Sequence, residues 1–454
     1  MSYPAFDSTI VAIATPLGTG GVGIIRISGN KALEILQKIF KKTPKNDKKV
    51  EFLPNFATHG WIVDGNTLLD EVIAIYFKAP NSYTGEDTVE INCHGGVRVL
   101  NNILNLILKN GAELAQRGEF TKRAFLNQKL DMGQAEAVLD LIHAKTDKFS
   151  KTASQNLSGR LSCYIKELKK DLIEILAKIN ASLDFPEDVA EPEYNLILEI
   201  IENALLKIEK ALKGADSSNL MRQGLKIAII GQTNVGKSSL FNTLLDNERA
   251  IVTDIAGTTR DVLQESLDIA GIPVTIMDTA GIRHTTNTDI VEEIGIEYSK
   301  KCLKEAEIVL FVYDITKGIQ EADTELLELL KNKPHLKIAS KTDLYKETIP
   351  PEIIGISCKT KDGIENLKEK IKNIITENNF IEDTEFVTNI RQQKCLQNAK
   401  NSLKNAQNGA KNKELQDLIS IDIKTALLYL DEITGEVVTD DILTHIFEQF
   451  CIGK

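Results

Sequence analysis

The chain has 454 residues, of which 42% are apolar and 26% charged, and its formal net charge is −11. This length exceeds one hydrophobic core, so we expect two to four domains. The acidic balance excludes a protein that grips nucleic acid by its overall charge, since such proteins are usually basic. No apolar run approaches the roughly 20 residues that span a bilayer, so we expect no membrane segment.

The cysteines and the N-terminal residues indicate the cellular compartment in which the protein acts. Six cysteines are scattered without C-x-x-C spacing, which argues against a zinc ribbon or a disulfide scaffold. Residues 1–7 have neither the basic nor the apolar region of a secretory signal. We therefore expect a cytoplasmic protein.

The first 125 residues mix β-like runs with helical patterns, which predicts an α+β domain. The β-like runs cover residues 9–14, 23–27, 72–77 and 88–92, and the helical patterns cover residues 31–40 and 97–109.

A helical region follows over residues 126–216. Leucine and isoleucine recur every three or four residues from Leu161 to Leu183, which predicts a long helix with a bundle-core stripe. Pro186 ends that pattern, and a second helix is predicted over about 192–213. Helical patterns return over residues 380–454, so we expect one helical domain built from both flanks of an insertion.

The inserted segment, residues 217–379, alternates strand and helix patterns, which predicts a doubly wound α/β sheet. The predicted strands cover residues 225–230, 274–277, 308–313, 336–339 and 353–356.

Residues 231–239, Gly-Gln-Thr-Asn-Val-Gly-Lys-Ser-Ser, fit the phosphate-cradling pattern G-x-x-x-x-G-K-[ST]. An apolar strand precedes the loop and a helix follows, so backbone N–H groups and a positive helix end would face phosphate. Lys237 would reach the β- and γ-phosphates, and the Ser238 hydroxyl would ligate Mg²⁺. The other nucleotide-binding candidates of this loop are Asn234, Val235, Gly236 and Ser239.

Four further motifs, in order, predict guanine as the base. Asp278 would hold Mg²⁺ through water. It is the first residue of a motif that continues with Thr279, Ala280 and Gly281 and would contact the γ-phosphate. Upstream, the Thr259 hydroxyl would complete the Mg²⁺ shell. Asp343 would accept hydrogen bonds from guanine, within a motif of Ser340, Lys341, Thr342 and Asp343. The loop that closes over the base would be Ser357, Cys358 and Lys359.

This motif set resembles the Ras-like GTPases of the translation-factor class, with a departure at one position. That class usually has Asn where this chain has Ser340, so we expect weaker guanine affinity because serine reaches less far. Ile282 cannot orient an attacking water, so the hydrolytic group must come from elsewhere. Asn234 would hold a monovalent cation together with carbonyls of the 253–258 loop, in the place of an arginine finger. A simple turn residue is the alternative for Asn234.

Over its whole length the chain is similar to the MnmE (TrmE) family of tRNA-modification GTPases. The segments that carry the resemblance are residues 18–29, 83–87, 117–127, 253–261 and Cys451–Lys454. The resemblance implies an N-terminal folate-binding domain that dimerises, a discontinuous helical domain and an inserted Ras-like P-loop GTPase domain.

For the GTPase, the resemblance implies K⁺ activation. The K⁺ ligands would be Asn234 and the backbone of Thr253, Ile255 and Thr258, and Mg²⁺ would be held by Ser238 and Thr259. Glu292 would orient the attacking water, unless it is only a solvated carboxylate beside Glu293. The segment 253–261 also contains a catalytic candidate, Arg260, and three nucleotide-binding candidates, Asp254, Ala256 and Gly257.

For the N-terminal domain, the resemblance implies a pocket for 5-formyltetrahydrofolate or a related derivative, formed by Arg26, Glu90, Lys129 and Lys454. Arginine and lysines suit the glutamate-tail carboxylates, and Glu90 would pair with the pterin amine and ring N–H. Without the resemblance, Glu90 is an outward residue of an alternating strand. Cys451 would be a nucleophile or proton carrier; a buried structural cysteine is the alternative.

The function that the resemblance implies is a K⁺-activated GTP hydrolase of tRNA modification. The chain would act as a homodimer with a flavoprotein partner, MnmG, in a heterotetramer-type complex. Together they would add an aminomethyl or carboxymethylaminomethyl group to carbon 5 of the wobble uridine of certain tRNAs. Two alternatives stay open: a ribosome-assembly GTPase that switches RNA binding, and a folate-dependent transferase with a bystander GTPase.

Overall fold

The computed structural model describes residues 7–44, 49–246, 265–269, 271–278, 303, 305–331, 333–377 and 388–454. It contains two compact units. The first comprises Met1–Leu139, Leu157–Glu167 and Leu428–Lys454, and the second comprises Asp140–Asn156 and Leu168–Leu427.

The first unit is built on a seven-stranded sheet. In chain order its strands are β1 (Ile10–Ile13), β2 (Gly20–Ser28), β3 (Phe40–Lys41), β4 (Ala57–Asp64), β5 (Thr67–Phe77), β6 (Thr88–Gly95) and β7 (Glu113–Leu114). The spatial order is β3-β4-β5-β6-β2-β1-β7. Neighbours are antiparallel except β1 and β7, which run parallel.

Two amphipathic helices cover one face of this sheet, so the predicted α+β arrangement is confirmed. They are α1 (Ala32–Ile39) and α2 (Val97–Lys109), and their apolar faces join the inward residues of the strands in one core. Around the centres of β2 and β6, buried residues alternate with half-buried ones, which leaves Arg26 and Glu90 on the face away from α1 and α2. Strand β4 was not predicted, because His59 and Gly60 interrupt its apolar alternation.

Shorter helices complete the first unit: α3 (Glu119–Leu126), the start of α4 (Met132–Ile142) and, near the end of the chain, α14 (Asp440–Phe447). Phe125 and Met132 pack with Leu443 and Phe447 in a second apolar cluster. The last residues of the chain therefore lie against segments that are more than 300 positions earlier in the sequence.

Six helices form the helical part of the chain: α5 (Asp147–Leu157), α6 (Arg160–Asp184), α7 (Tyr194–Lys213), α8 (Ala215–Gln223), α12 (Ile390–Lys411) and α13 (Gln416–Thr434). The long helix predicted over Leu161–Leu183 is confirmed as α6. Its stripe is buried as far as Ile179, except for the half-buried Leu176. Leu183 is 44% exposed, so the core stripe ends earlier than predicted.

The inserted segment forms a six-stranded sheet in the order β13-β12-β11-β8-β10-β9. In chain order its elements are β8 (Leu225–Ile230), α9 (Lys237–Asp246), β9 (Glu265–Ile269), β10 (Ile272–Asp278), β11 (Ile308–Asp314), α10 (Glu321–Leu329), β12 (His335–Ser340), β13 (Ile354–Gly355) and α11 (Ile364–Glu377). Five strands are parallel, and β9 adds an antiparallel edge.

Apolar clusters lie on both faces of that sheet, as expected when helices cover both sides of parallel strands. Within the described residues, none of the helices combines the length and the apolar character that crossing a bilayer requires.

Candidate functional site

The predicted P-loop connects β8 to α9 at the carboxyl edge of the parallel strands. Gly231 has φ 150°, and an added Cβ would overlap the Val312 carbonyl oxygen of β11. Asn234 is a non-glycine residue at φ 62°, and Gly236 has φ 99°. These left-handed residues turn successive N–H groups into one concavity, the arrangement that binds phosphate.

Lys237, the first residue of α9, is 9% exposed. Its ammonium donates hydrogen bonds to the carbonyl oxygens of Gly231 at 2.8 Å and Gln232 at 2.7 Å. The lysine thus lies folded back over the loop, while Ser238 and Ser239 remain exposed at the start of the helix. The loop geometry is that of a phosphate site with a cation at its centre.

The predicted base loop follows β12 and is tied to the P-loop at two points. The Ser340 hydroxyl, 2% exposed, lies 2.5 Å from the Val235 carbonyl oxygen and 3.0 Å from that of Tyr313. The Lys341 ammonium donates to the Asn234 carbonyl oxygen at 3.0 Å. Ser340 is therefore turned toward the P-loop, and its predicted effect on guanine affinity stays a prediction.

Asp343 and the last loop also lie together. The Ser357 hydroxyl donates to Asp343 Oδ1 at 2.8 Å, and the Thr360 N–H donates to the Ser357 hydroxyl at 3.2 Å. Asp343 is exposed. Burial raises the pKa of the Cys358 thiol, so this cysteine stays protonated, and Lys359 is exposed. The loops that would contact a base thus meet beside the P-loop.

Sequence reasoning missed Asp314, at the carboxyl end of β11. This carboxylate is 5% exposed and accepts hydrogen bonds from the Lys341 ammonium at 2.7 Å and from the Thr316 hydroxyl at 2.7 Å. Burial by itself would raise the pKa of Asp314, but these hydrogen bonds outweigh it and lower the pKa. The signal was available, because an aspartate that ends a parallel strand lies at the ligand edge of such sheets.

Of the other candidates for the nucleotide site, one lies within the described residues. Asp278 ends β10, where it pairs with Ile229 of β8, and so lies at the same sheet edge as the P-loop. The remaining predicted residues lie outside the described part of the chain: Thr253, Asp254, Ile255, Ala256, Gly257, Thr258, Thr259, Arg260, Thr279, Ala280, Gly281 and Glu292.

In the first unit, Arg26 and Glu90 are direct cross-strand neighbours on β2 and β6. Arg26 Nε donates to Glu90 Oε1 at 2.9 Å, and Arg26 Nη2 lies 2.8 Å from the same oxygen. The guanidinium also faces the rings of Tyr83 and Phe120, at 5.4 and 5.7 Å from their centroids. Glu90 is thus more than an outward strand residue, because it forms a half-buried ion pair framed by two aromatic rings.

The last four residues join this ion pair. Arg26 Nη1 donates to the Gly453 carbonyl oxygen at 3.3 Å. Ile452 forms an antiparallel bridge with Arg117, and the Phe120 N–H donates to the Lys454 carbonyl oxygen at 3.2 Å. Gly453 has φ 94°, and an added Cβ would lie 2.5 Å from the Ile13 carbonyl oxygen. The tail therefore runs beside Arg26 in a path that needs glycine.

Lys454 and Cys451 complete this group. The pKa of Lys454 is lowered, first by burial and then by the positive charge of Arg26, while Glu90 and Cys451 act in the opposite direction. The Cys451 side chain is exposed, so the alternative of a buried structural cysteine is wrong for it. The buried cysteines of the described residues are Cys93 and Cys395.

Lys129 lies apart from these contacts in the described structure. Its side chain is exposed and passes over Gly85, where an added Cβ would lie 3.2 Å from Lys129 Cγ. Its N–H donates to the Ala124 carbonyl oxygen at 2.8 Å. The structure thus brings Arg26, Glu90, Lys454 and Cys451 together, and it does not join Lys129 to them.

A buried arginine links the segments that carry the framing rings of Tyr83 and Phe120. Arg123, 0% exposed, lies 3.2 Å from Glu86 and 2.8 Å from Glu119. Glu86 also accepts a hydrogen bond from Ser28, and the Tyr83 and Thr121 hydroxyls lie 2.9 Å apart. Segments 18–29, 83–87 and 117–127 thus meet around one charge cluster.

Known proteins resemble this chain over almost its whole length. A family model for the N-terminus of the GTP-binding protein TrmE matches residues 9–129, and a model for the MnmE helical domain matches residues 132–451. The tRNA modification GTPase MnmE of Desulforamulus reducens is 45% identical over 99% of this chain and 100% of its own length. The MnmE of Clostridioides difficile is 44% identical over 99% of both chains.

Among solved structures, Era of Aquifex aeolicus bound to GDP and aluminium fluoride is 26% identical, covering 39% of this chain and 66% of its own. Its TM-score of 0.28 is too low for a comparison of the folds. The full-length matches are decisive, and the chain belongs to the family of tRNA modification GTPases named MnmE.

Proposed function

We propose that this chain, a GTP hydrolase of tRNA modification by its family, adds an aminomethyl or carboxymethylaminomethyl group to carbon 5 of the wobble uridine of certain tRNAs. It does so in the cytoplasm, as a homodimer, with the flavoprotein MnmG in a heterotetramer-type complex. The one-carbon unit comes from a tetrahydrofolate derivative. The observation that carries this proposal is the convergence of residues 451–454 on the Arg26–Glu90 pair.

The residues of that group fit a folate-type ligand by their chemistry. The hydrogen bond and the ion-pair contact from Arg26 to Glu90 both use Oε1, which orients the carboxylate for a pterin amine and ring N–H. Two of the five N–H donors of Arg26 are engaged in the described hydrogen bonds. Lys454, half-buried beside the pair, supplies a cation for a glutamate-tail carboxylate. Lys129 supplies a second cation from the segment that follows α3.

In the nucleotide site, the residues fit GTP with Mg²⁺ and K⁺. The exposed Ser238 hydroxyl at the start of α9 holds Mg²⁺ together with Thr259, and Lys237 turns from its loop carbonyls to the β- and γ-phosphates. Asn234, left-handed and exposed, offers its side-chain oxygen to K⁺. Thr253, Ile255 and Thr258 supply backbone carbonyls to the same ion.

GTP hydrolysis is coupled to tRNA modification by movement of the GTPase domains. Glu292 would orient the attacking water and Arg260 would assist. Asn234 and the backbone of Thr253, Ile255 and Thr258 would hold K⁺, which would supply positive charge at the phosphates where two GTPase domains meet across the dimer. The division that fits this cycle is residues 1–125 for folate binding and dimerisation, 126–216 with 380–454 for the helical domain, and 217–379 for the GTPase. Opening and closing of the GTPase pair then times the steps at Cys451.

The test is reconstitution with MnmG, a tRNA transcript, GTP, KCl, 5-formyltetrahydrofolate or another tetrahydrofolate derivative, and ammonium or glycine, with the modified nucleoside measured by mass spectrometry. We expect product that requires GTP and folate, and a GTPase rate that is higher in K⁺ than in Na⁺ at equal ionic strength. Full modification by an Asp278→Asn variant without GTPase activity would favour the bystander alternative. A rate that rises with ribosomal subunits, without folate binding, would favour the ribosome-assembly alternative.

A further inference from the structure

One helix of the acidic chain carries charge of a single sign. The basic residues of α12 are Arg391, Lys394, Lys400, Lys404 and Lys411, and none of its residues is acidic. In the neighbouring helix α7, by contrast, acidic residues alternate with lysines, and the same is true of α6. A solvated helix usually interleaves both signs, as α6 and α7 do.

Beyond its first turn, the exposed face of α12 is made only of lysines and amides. Its buried residues, such as Leu396, Ala399, Leu403 and Ala406, lie on the face that packs against the helical core. The exposed residues beyond the first turn repeat every three or four positions: Lys394, Gln397, Asn401, Lys404, Asn405, Asn408 and Lys411. At 1.5 Å per residue this strip is about 25 Å long. It is called the lysine–amide strip below.

Acidic side chains lie beside α12 at two places in the described structure: on α7, and at Glu414, whose carboxylate would lie 3.2 Å from a Cβ added at Gly409. Helix α7 packs against α12. Lys400 of α12 forms an ion pair with Glu209 of α7 at 2.9 Å, and the Gln407 amide of α12 donates a hydrogen bond to Glu202 of α7 at 3.1 Å. Lys404 also lies within electrostatic reach of Glu209. Among the described residues, Lys394, Lys404 and Lys411 form no ion pair.

We propose that the lysine–amide strip binds the sugar–phosphate backbone of tRNA, an inference that rests on the proposed function. Lysine ammonium groups neutralise phosphates, and asparagine and glutamine side chains donate to phosphate oxygens and ribose hydroxyls. The strip has no aromatic or apolar anchor beyond Ile390, which disfavours a protein partner. It provides a local basic surface in a chain whose net charge of −11 would otherwise repel RNA.

The experiment uses the full chain and a fluorescently labelled, unmodified tRNA transcript, with binding followed by anisotropy from 50 to 200 mM KCl. The test variant combines Lys394→Ala, Lys404→Ala and Lys411→Ala. We expect affinity to fall about tenfold at 100 mM salt, and the slope of log affinity against log salt to flatten by about 2 to 3, because three phosphate contacts are lost.

Two control variants separate charge from structure. Arginine at the same three positions keeps the charge and is expected to retain affinity and slope. Alanine at Lys166, Lys170 and Lys178 of α6 removes three exposed lysines that have acidic neighbours, and it should leave binding unchanged. The GTPase rate in K⁺ verifies the fold of every variant, since no lysine in these two sets belongs to the nucleotide site.

Each outcome decides something different. Unchanged affinity and slope in the alanine variant would overturn the strip while leaving the proposed function in place. Loss of MnmG association with normal tRNA binding would also overturn it, in favour of protein docking. A wild-type chain that binds no tRNA, with or without GTP, would remove the tRNA contact from the proposed function itself.

Discussion

Lys341 and Asn234 are 107 positions apart, and the lysine ammonium donates a hydrogen bond to the asparagine carbonyl oxygen at 3.0 Å. This contact joins the base loop to the P-loop. Because the carbonyl is held on the side of Lys341, the N–H groups of the loop are left for phosphate. Asp314, at the carboxyl end of β11, accepts a hydrogen bond from the same ammonium at 2.7 Å and so holds Lys341 in place between the two loops.

An Asp314→Asn substitution tests that bridge. The charge that orients Lys341 is lost at a nearly buried position, so we expect guanine-nucleotide affinity to fall about tenfold and the free energy of unfolding to fall by about 1–2 kcal/mol. Binding of a fluorescent GDP analogue measures the first effect. The matched control is Glu328→Gln, which breaks an exposed pair with Lys331 and should change neither value.

The same carboxylate predicts a pH dependence. The folded pKa of Asp314 is below its usual value of 3.8, so its stabilising contribution is complete above that value and is lost as the pH falls through the folded pKa. Urea unfolding between pH 3 and 6 should show a smaller acid loss in Asp314→Asn than in wild type. Equal losses would contradict the assignment.

A methyl group at Gly231 should abolish nucleotide binding. The added Cβ would overlap the Val312 carbonyl oxygen at a φ that L residues rarely adopt, so the loop must move away from β11. We expect at least about a hundredfold loss of GTP affinity in Gly231→Ala, or more than about 2.7 kcal/mol. Gly318→Ala is the control, because its φ is 67° but nothing lies within 4 Å of the added atom.

Opposite charges around Lys454 should shift its titration in opposite directions. Glu90→Gln removes a group that raises the pKa of Lys454, so the pKa should fall further, whereas Arg26→Met should raise it. The rate of amine acylation at Lys454 against pH, read by peptide mass spectrometry, measures both shifts. Shifts of the same sign in the two variants would show that the lysine does not lie between these charges.

Thiol labelling should distinguish Cys451 from Cys93. Cys451 is exposed, whereas burial raises the pKa of Cys93 to about 12. At pH 8 the thiolate fraction of Cys93 is then about a thousandfold below that of an ordinary thiol. We expect an alkylating reagent to modify Cys451 and Cys163 in the native chain, and Cys93 only after denaturation. Native labelling of Cys93 would contradict its burial.

Arg123→Met should destabilise the first unit strongly. The substitution leaves Glu86 and Glu119 without a fully buried guanidinium, which costs about 3–5 kcal/mol. Urea unfolding followed by the fluorescence of Trp61, the single tryptophan of the chain, reports on this unit. Lys38→Met, which breaks an exposed pair with Glu34, should change the unfolding free energy by less than about 1 kcal/mol.

Several elements were predictable because their signals are local. The three-to-four-residue spacing of apolar side chains defined α6, and the glycines of the P-loop marked a turn that only they can adopt. Strand β9 was missed because its five residues, Glu-Ser-Leu-Asp-Ile, are mostly polar. It is an antiparallel edge that depends on its partner β10 more than on its own pattern.

Residue type and spacing along the chain were enough to identify the phosphate loop, the motif order that predicts guanine, and the family. The hydrogen bond from Lys341 to Asp314, and the one from Arg26 to Gly453 across 427 positions, became visible in the folded chain alone. Contacts over such separations leave no periodic trace, since they arise from the packing of whole elements. The lysine–amide strip combines both kinds of information. Its residue types can be read from the sequence, but the burial of the opposite face of α12 determines which of them reach solvent.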